Sequence, residues 1–567
     1  MPVPLPVWEG RRLMEATLEK LQHLWPEITM LIGACLCLVA GLSSKAAVRK
    51  ATPMVAVGTL VLAGVMSLTM GTVDKTHFLG LGLFSSYLKL AICAMGVLLV
   101  FVATGTVDHI KQIRDAEGRD GKAFDAGDNY KAEFFAFMLF SLTGVMMTAG
   151  AGELVWLFLA LELSSLPTYV MIATSRDRDG GLAQESAIKY FFLGALSVAV
   201  FLYGFALIYG ATGETEFRLI HAYVSENGAS PMMVLGVALA VVGVSFKIAA
   251  VPMHFYTADV YQGAATPVTA FLAFVPKATG MIALIALLGL PLSSGHNEAT
   301  DLPSLPDALV YLVAIMAALT MTVGNALGLV QKNLKRVLAY SSIAHSGYML
   351  VGVLVGPMLA ISLMQDNPDA DTSLSNGTAA VLFYLIAYGL STIAAFAVLG
   401  CLTRKDGGEV ETYDDLAGMR TRHPFQAGVL LVSVVSLVGL PPLVGFLGKL
   451  YLIGSAYSAG TVESGYSGLF QGLVVLIIIN SAMSAGYYLR IVGVAFFGED
   501  RGQTVETAPP LRRAGGVIAA LASIALGGYP SAGFLAAQAK NAAEPESVPE
   551  QTADEPAAPE TAEAEDA

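Results

Sequence analysis

Four lysines stand inside apolar stretches of this sequence: Lys189, Lys247, Lys277 and Lys449. Glu162 interrupts another, in WLFLALELSSLP. A charge at the centre of a bilayer costs about 2.5–3.5 kcal/mol on insertion scales, so such residues are functional candidates by default. The chemistry they offer is proton transfer. Burial disfavours a lysine's charged form and a nearby carboxylate favours it. Moving a carboxylate toward or away from the amine therefore loads or releases a proton, and Glu162 is the candidate partner. The competing reading is a set of buried ion pairs that fix helix packing, or side chains that snorkel to an end.

His345 lies in YSSIAHSGY, where Ser341, Ser342 and Ser346 are placed to hold water beside it. An imidazole changes charge near neutral pH and suits the middle of a relay. A hydrogen-bonded core histidine is the plainer alternative. His254 is read as near a surface, and Arg490 as structural.

Relays through a membrane also need broken backbone. Lys247 is followed by Pro252 in FKIAAVPMHF, and Lys449 is preceded by Pro441 and Pro442 in GLPPLVGFLGKL. Proline removes a donor and opens the hydrogen-bond ladder. Freed carbonyls at membrane depth are tolerated only against protein or water. Two breaks with adjacent lysines suggest two hydrated half-channels.

Composition supports a membrane setting. The 567 residues are 55% hydrophobic and 14% charged, against roughly 25% charged in soluble domains. Mean hydropathy is +0.64. The formal net charge of -13 is mostly a tail effect: nine acids and no base follow Lys540, which leaves about -4 for the rest. Apolar runs predict about fourteen transmembrane helices near 27–45, 53–71, 85–108, 132–150, 153–175, 183–211, 231–252, 266–290, 306–330, 336–357, 376–402, 425–453, 470–497 and 511–535. The longest loops fall near 109–131 and 403–424. Residues 1–26 form an N-terminal extension, without a signal-peptide pattern. Residues 541–567 form an acidic tail of disordered composition.

Basic residues set orientation. Loops after odd-numbered helices hold twenty, including Lys45, Lys332, Lys335, Arg336 and Arg512; loops after even-numbered helices hold Lys75 and Arg218. The positive-inside rule places odd loops in the cytoplasm and both termini outside, in the periplasm of a bacterial inner membrane. The two lysine-bearing breaks lie five helices apart. Five is odd, so helices 4–8 (132–290) and 9–13 (306–497) would form two inverted repeats, after helices 1–3 (27–131) and before helix 14 (511–535). Cys35, Cys37, Cys93 and Cys401 have no metal-ligand spacing and are read as small core residues. No dinucleotide or phosphate-binding loop and no CxxC pair occurs.

The stretches LALELSSLPTYVMIA, ESAIKYFFLGALSVAVFLYG, HFYTADVYQGAATPVTAFLAFVPKATG, NLKRVLAYSSIAHSGYMLVG and GLPPLVGFLGKLYL resemble subunit N of the proton-pumping NADH:quinone oxidoreductases, complex I, over roughly residues 27–535. The loop Ala258–Pro267 differs from the PDAH-x-EAPT of sister subunits. It carries alanine at Ala258 and Ala265, where the family usually has Pro or Glu. The resemblance implies that Glu162 and Lys247 are a switching pair. It also implies that Glu185 and Lys189 of helix 6, Lys277 and His345 are path residues, and that Lys449 lies toward the outlet. It further implies an H+-translocating enzyme subunit with no cofactor or metal in this chain. FMN, iron–sulfur clusters, NADH and quinone would belong to partner membrane and peripheral subunits, in a lipid bilayer. Nucleic acid is not an expected partner. The alternative activity is cation/proton antiport with the same lysines.

Overall fold

A computed structural model describes residues 23–43, 45–69, 84–106, 131–175, 181–291, 305–359, 376–405, 408–461, 465–502, 504–528 and 537–538. The acidic tail, almost all of the predicted 109–131 loop and most of the N-terminal extension lie outside these residues. Helix dominates, as an all-α membrane protein requires: in lipid a segment must satisfy its own backbone donors and acceptors. The first helices are α1 (Trp25–Gly41), α2 (Thr52–Thr69) and α3 (Phe84–Ala103). Then come α4 (Lys131–Ala149), α5 (Leu154–Thr174) and α6 (Leu182–Thr212). After a broken helix follow α8 (Thr266–Gly289), α9 (Asp307–Val330), α10 (Leu334–Leu359) and α11 (Gly377–Cys401). A second broken helix precedes α13 (Ser467–Phe497) and α14 (Pro510–Gly527). Among the described residues, nine helices are long and apolar enough to cross a membrane, and four shorter apolar helices accompany them.

The first broken helix begins as α7a (Pro231–Val244), with Ser230 accepting from the Met233 amide at 3.2 Å as its cap. The predicted span 231–252 is too long, because helix stops at Val244. Turns follow, and Ala249 takes φ +55°, a left-handed conformation rare for a residue with a Cβ. Pro252 has no amide donor and disfavours helical backbone at Val251. Helix resumes as α7b (Thr257–Gly263). Lys247 therefore lies within the break rather than ahead of it. The second broken helix, predicted as one span 425–453, is α12a (Pro424–Val438) and α12b (Val444–Thr461). Gly439 opens its break at φ +87°. A Cβ there would lie 2.9 Å from Lys449 Cδ, so glycine is needed for space as well as conformation.

Every residue of α8 is buried, and α10 and α11 are nearly so; helices apolar all round belong in the interior. α6 and α13 lie outside, exposing Phe192, Tyr203, Val475 and Ile478. Small residues bring backbones together. A Cβ on Gly144 of α4 would meet Ser164 N of α5 at 2.3 Å; one on Gly324 of α9 would meet Ala344 N of α10 at 2.6 Å. Adding 180 to 144 and 164 gives 324 and 344. The same offset carries Glu153, bridged to Glu216, onto Asn333, bridged to Thr412.

Three further features of the fold depart from the sequence reading. Cys35 is exposed, on the face of α1 that shows Ile32, Leu36 and Val39, so it is not a core residue. The 403–424 region is not plain loop: β1 (Leu402–Arg404) pairs antiparallel with β2 (Thr504–Glu506), strands too short to show a period. Arg512, counted as a loop base, is buried in the first turn of α14. Its guanidinium donates to the Val102 carbonyl (2.8 Å), the Thr104 carbonyl (2.8 Å) and the Gly400 carbonyl (2.6 Å). These are carbonyls at the C-terminal ends of α3 and α11, where the helix dipole favours a cation.

Candidate functional site: a buried lysine–histidine line

The turns of the first break aim Lys247 at α5. Its amine donates to the Leu161 carbonyl at 3.0 Å and in a short contact to Ser165 Oγ. Glu162 Oε1 lies 3.7 Å away, an ion pair beyond hydrogen-bond length. That oxygen is buried and accepts no hydrogen bond. The amine thus lies just outside hydrogen-bond reach of the carboxylate.

A cavity joins Lys247 to Lys277, lined also by Tyr190, Tyr256, Tyr261 and Ser342. Lys277 projects from α8 just after Pro276, which interrupts that helix's ladder and itself lines the cavity. Its amine donates to Ser342 Oγ at 2.7 Å and in a short contact to the Ser342 carbonyl, and it lies 4.4 Å from the centre of the Tyr388 ring. Tyr261 OH is 3.2 Å from Ser342 Oγ. The 180-residue offset carries Glu162 onto Ser342 and Ser165 onto His345. One matching position thus faces each amine: Glu162 of α5 beside Lys247 and Ser342 of α10 beside Lys277.

His345 is buried beyond Lys277. Its Nδ1 is 2.6 Å from Tyr384 OH and its Nε2 3.1 Å from Tyr488 OH. Tyr488 OH also makes a short contact with Ser341 Oγ. Ser346 instead donates to the Ile248 carbonyl in the first break, at 2.5 Å. Lys449, on α12b, reaches back across the second break to the Val438 carbonyl at 2.7 Å, with its amine 5.2 Å from the centre of the Tyr348 ring.

Lys189 differs from the other lysines. Its side chain is 43% exposed, and its amine pairs with Glu185 at 2.7 Å and Asp259 at 3.1 Å. It lies two turns into α6, at the helix end, and so is not buried at the depth of the other three. Asp259 of α7b joins it to Arg336 at 2.7 Å. Nearby, Lys335, counted as a loop base, is fully buried and pairs with Glu409 at 2.5 Å. Glu409 also accepts from Thr266 N at 3.0 Å and Thr266 Oγ1 at 2.9 Å, capping the N-terminus of the lysine-bearing α8. Arg490 stacks 4.3 Å from the centre of the Tyr413 ring, a packing contact.

Sequence reading missed Ser165, the tyrosines around His345, Asp259 and Glu409. It also missed a buried ion pair between Lys89 of α3 and Glu27 of α1 at 2.8 Å. Lys89 inside an apolar run carried the same signal as Lys277; the uncharged hydroxyls carried none. Among the described residues, no group of three or more His, Cys, Asp or Glu is placed to hold a metal ion.

The fold and this line of buried bases define a polytopic, antiporter-like membrane protein. A family model described as NADH:quinone oxidoreductase/Mrp antiporter, TM, matches residues 151–365 and 371–474. The NADH-quinone oxidoreductase subunit N of Myxococcus xanthus is 35% identical over 492 residues, covering 83% of this chain and 88% of that one. The subunit N of Trichlorobacter lovleyi is 38% identical over 403 residues, covering 70% and 74%. A chain of respiratory complex I from Thermus thermophilus superposes with a TM-score of 0.65 at 30% identity, covering 88% and 96%. A chain of the Mrp complex from Dietzia shares the fold, with a TM-score of 0.70 at 18% identity. Within this wider antiporter-like class, the chain belongs to the NADH-quinone oxidoreductase subunit N family.

Proposed function

We propose that this chain is the proton-translocating membrane subunit of an NADH:quinone oxidoreductase, in which partner subunits hold the flavin, the iron–sulfur clusters, NADH and quinone. It would span a bacterial inner membrane about fourteen times, with both termini periplasmic, as two inverted five-helix repeats. The matching Gly144–Ser164 and Gly324–Ala344 contacts support the repeat reading.

The observation that carries the proton role is the Lys247 amine, held by Ser165 with Glu162 3.7 Å away, at the edge of a cavity that continues to Lys277. A shift of α5 by a fraction of a turn brings Glu162 onto the amine and favours the ammonium; the reverse shift favours release. The proton then passes by Lys277 and His345 to Lys449, with Glu185 and Lys189 of α6 as further candidate path residues.

The test uses native membranes. The chain should co-migrate with a very large NADH-oxidising band, and Lys247→Ala in the assembled complex should sharply lower protons moved per NADH. Full pumping in that variant removes Lys247 from the mechanism. A small band without NADH oxidation, together with cation-stimulated proton exchange, would assign the chain to antiport instead.

A further inference from the structure

Proton transfer between Lys277 and Lys449 needs a path past His345, and the groups around this imidazole are phenols rather than acids. Both ring nitrogens are occupied: Nδ1 by Tyr384 OH at 2.6 Å, Nε2 by Tyr488 OH at 3.1 Å. Tyr488 OH is in turn engaged by Ser341 Oγ. A neutral imidazole donates from one nitrogen and accepts at the other, and a phenol can take either complementary role. All four groups are buried, which excludes bulk water and keeps the chain of hydrogen bonds intact.

The two ends of this chain lie on the backbone beside the two lysines. Ser341 adjoins Ser342, whose hydroxyl accepts from Lys277. The Tyr384 ring fills the space beside Gly448, where an added Cβ would meet it at 2.3 Å, so it packs directly on the turn that carries Lys449. Tyr388, one turn along α11, touches both the Lys277 amine and, with ring centres 4.9 Å apart, the imidazole.

We infer that Ser341, Tyr488, His345 and Tyr384 form a hydroxyl–imidazole relay that carries the proton between Lys277 and Lys449, with Tyr384 and Tyr488 as proton-carrying residues. The inference rests on the proton-pumping reading above. The Lys277 ammonium loses one proton, through water, to Ser341 Oγ. Ser341 gives its original proton to the Tyr488 oxygen, and the Tyr488 O–H proton moves to Nε2, forming an N–H bond. The Nδ1–H bond breaks toward the Tyr384 oxygen, whose own proton leaves through water for the Lys449 amine. Each oxygen gains one proton and loses one, so no phenolate remains. Lys277 ends neutral and Lys449 charged.

The experiment measures protons moved per NADH oxidised in sealed membranes holding the whole complex, with assembly checked on native gels. The variants are Tyr384→Phe, Tyr488→Phe, their double, Lys277→Ala, and Tyr457→Phe as an exposed control. Phenylalanine keeps each ring and removes only the hydroxyl. The relay predicts at least a fivefold loss of pumping in each single variant, with a larger solvent deuterium isotope effect. The double should lose much less than the product of the two single losses, as expected for steps in series. A packing defect would lower the amount of assembled complex and leave the isotope effect per complex unchanged. Wild-type pumping in both single variants, with Lys277→Ala inactive, overturns the relay and leaves the pump reading standing. Wild-type pumping in Lys277→Ala overturns both.

Discussion

The Lys247 amine lies 3.7 Å from Glu162 Oε1, yet it gives its hydrogen bonds to Ser165 and to the Leu161 carbonyl on either side of that carboxylate. The pair is close enough to attract and too far apart to share a proton directly. Ser165 and the Leu161 carbonyl hold the amine in this arrangement, which in the proposed mechanism is the disengaged half of a two-position switch.

Removing the Ser165 hydroxyl has a predictable effect. A hydrogen bond to a charged group contributes about 1.5–3 kcal/mol, a factor of ten or more in an equilibrium. Ser165→Ala should push the amine toward Glu162, hold the proton longer and slow pumping by roughly tenfold. Ser165→Thr, which keeps the hydroxyl, should retain most activity. Proton release per NADH in assembled complex measures both; equal rates for the alanine variant and wild type would remove Ser165 from the switch.

Glu409 holds three groups at once: the fully buried Lys335, and the amide and hydroxyl of Thr266 at the start of α8. Breaking a buried pair from one side costs 3–5 kcal/mol, and the 28% exposure of Glu409 argues for the lower end, about 3 kcal/mol. Glu409→Ala should lower the thermal midpoint of the complex. Lys335→Met combined with Glu409→Leu should recover part of it, because no uncompensated charge is then left inside. Thermal unfolding of the three variants reads this directly.

Gly439 combines φ +87° with a Cβ position 2.9 Å from Lys449 Cδ. Gly439→Ala should cost about 1–3 kcal/mol in backbone strain and displace the lysine from the Val438 carbonyl. Pumping should fall further than in Gly428→Ala, where the added methyl meets open space. Similar pumping in the two would show that the Lys449–Val438 contact does not matter.

Much of this protein is written in single residues. Apolar runs fix helices wherever they outlast the bilayer thickness, because lipid offers backbone groups no other partner. Lysines in such runs announce themselves by their cost, and prolines announce the breaks. Hence Glu162, Lys247, Lys277 and Lys449 stand out in the sequence as charges inside apolar runs, with His345 readable either as a relay group or as a core histidine. What sequence could not settle was depth and partnership. Sequence places Lys189 inside an apolar segment and Lys335 at the edge of one. Folding leaves the first half-exposed between two carboxylates and seals the second beneath Glu409, more than seventy residues away in the chain. Ser165, Tyr384 and Tyr488 are unremarkable in a helix of this composition. They find their buried partners only because a broken backbone turns Lys247 toward α5 and because α10, α11 and α13 converge on one imidazole. Burial cost is a property of a residue and its immediate neighbours, so sequence reports it. Hydrogen-bond partnership belongs to surfaces that meet only when helices from distant parts of the chain pack, and only the tertiary structure decides it.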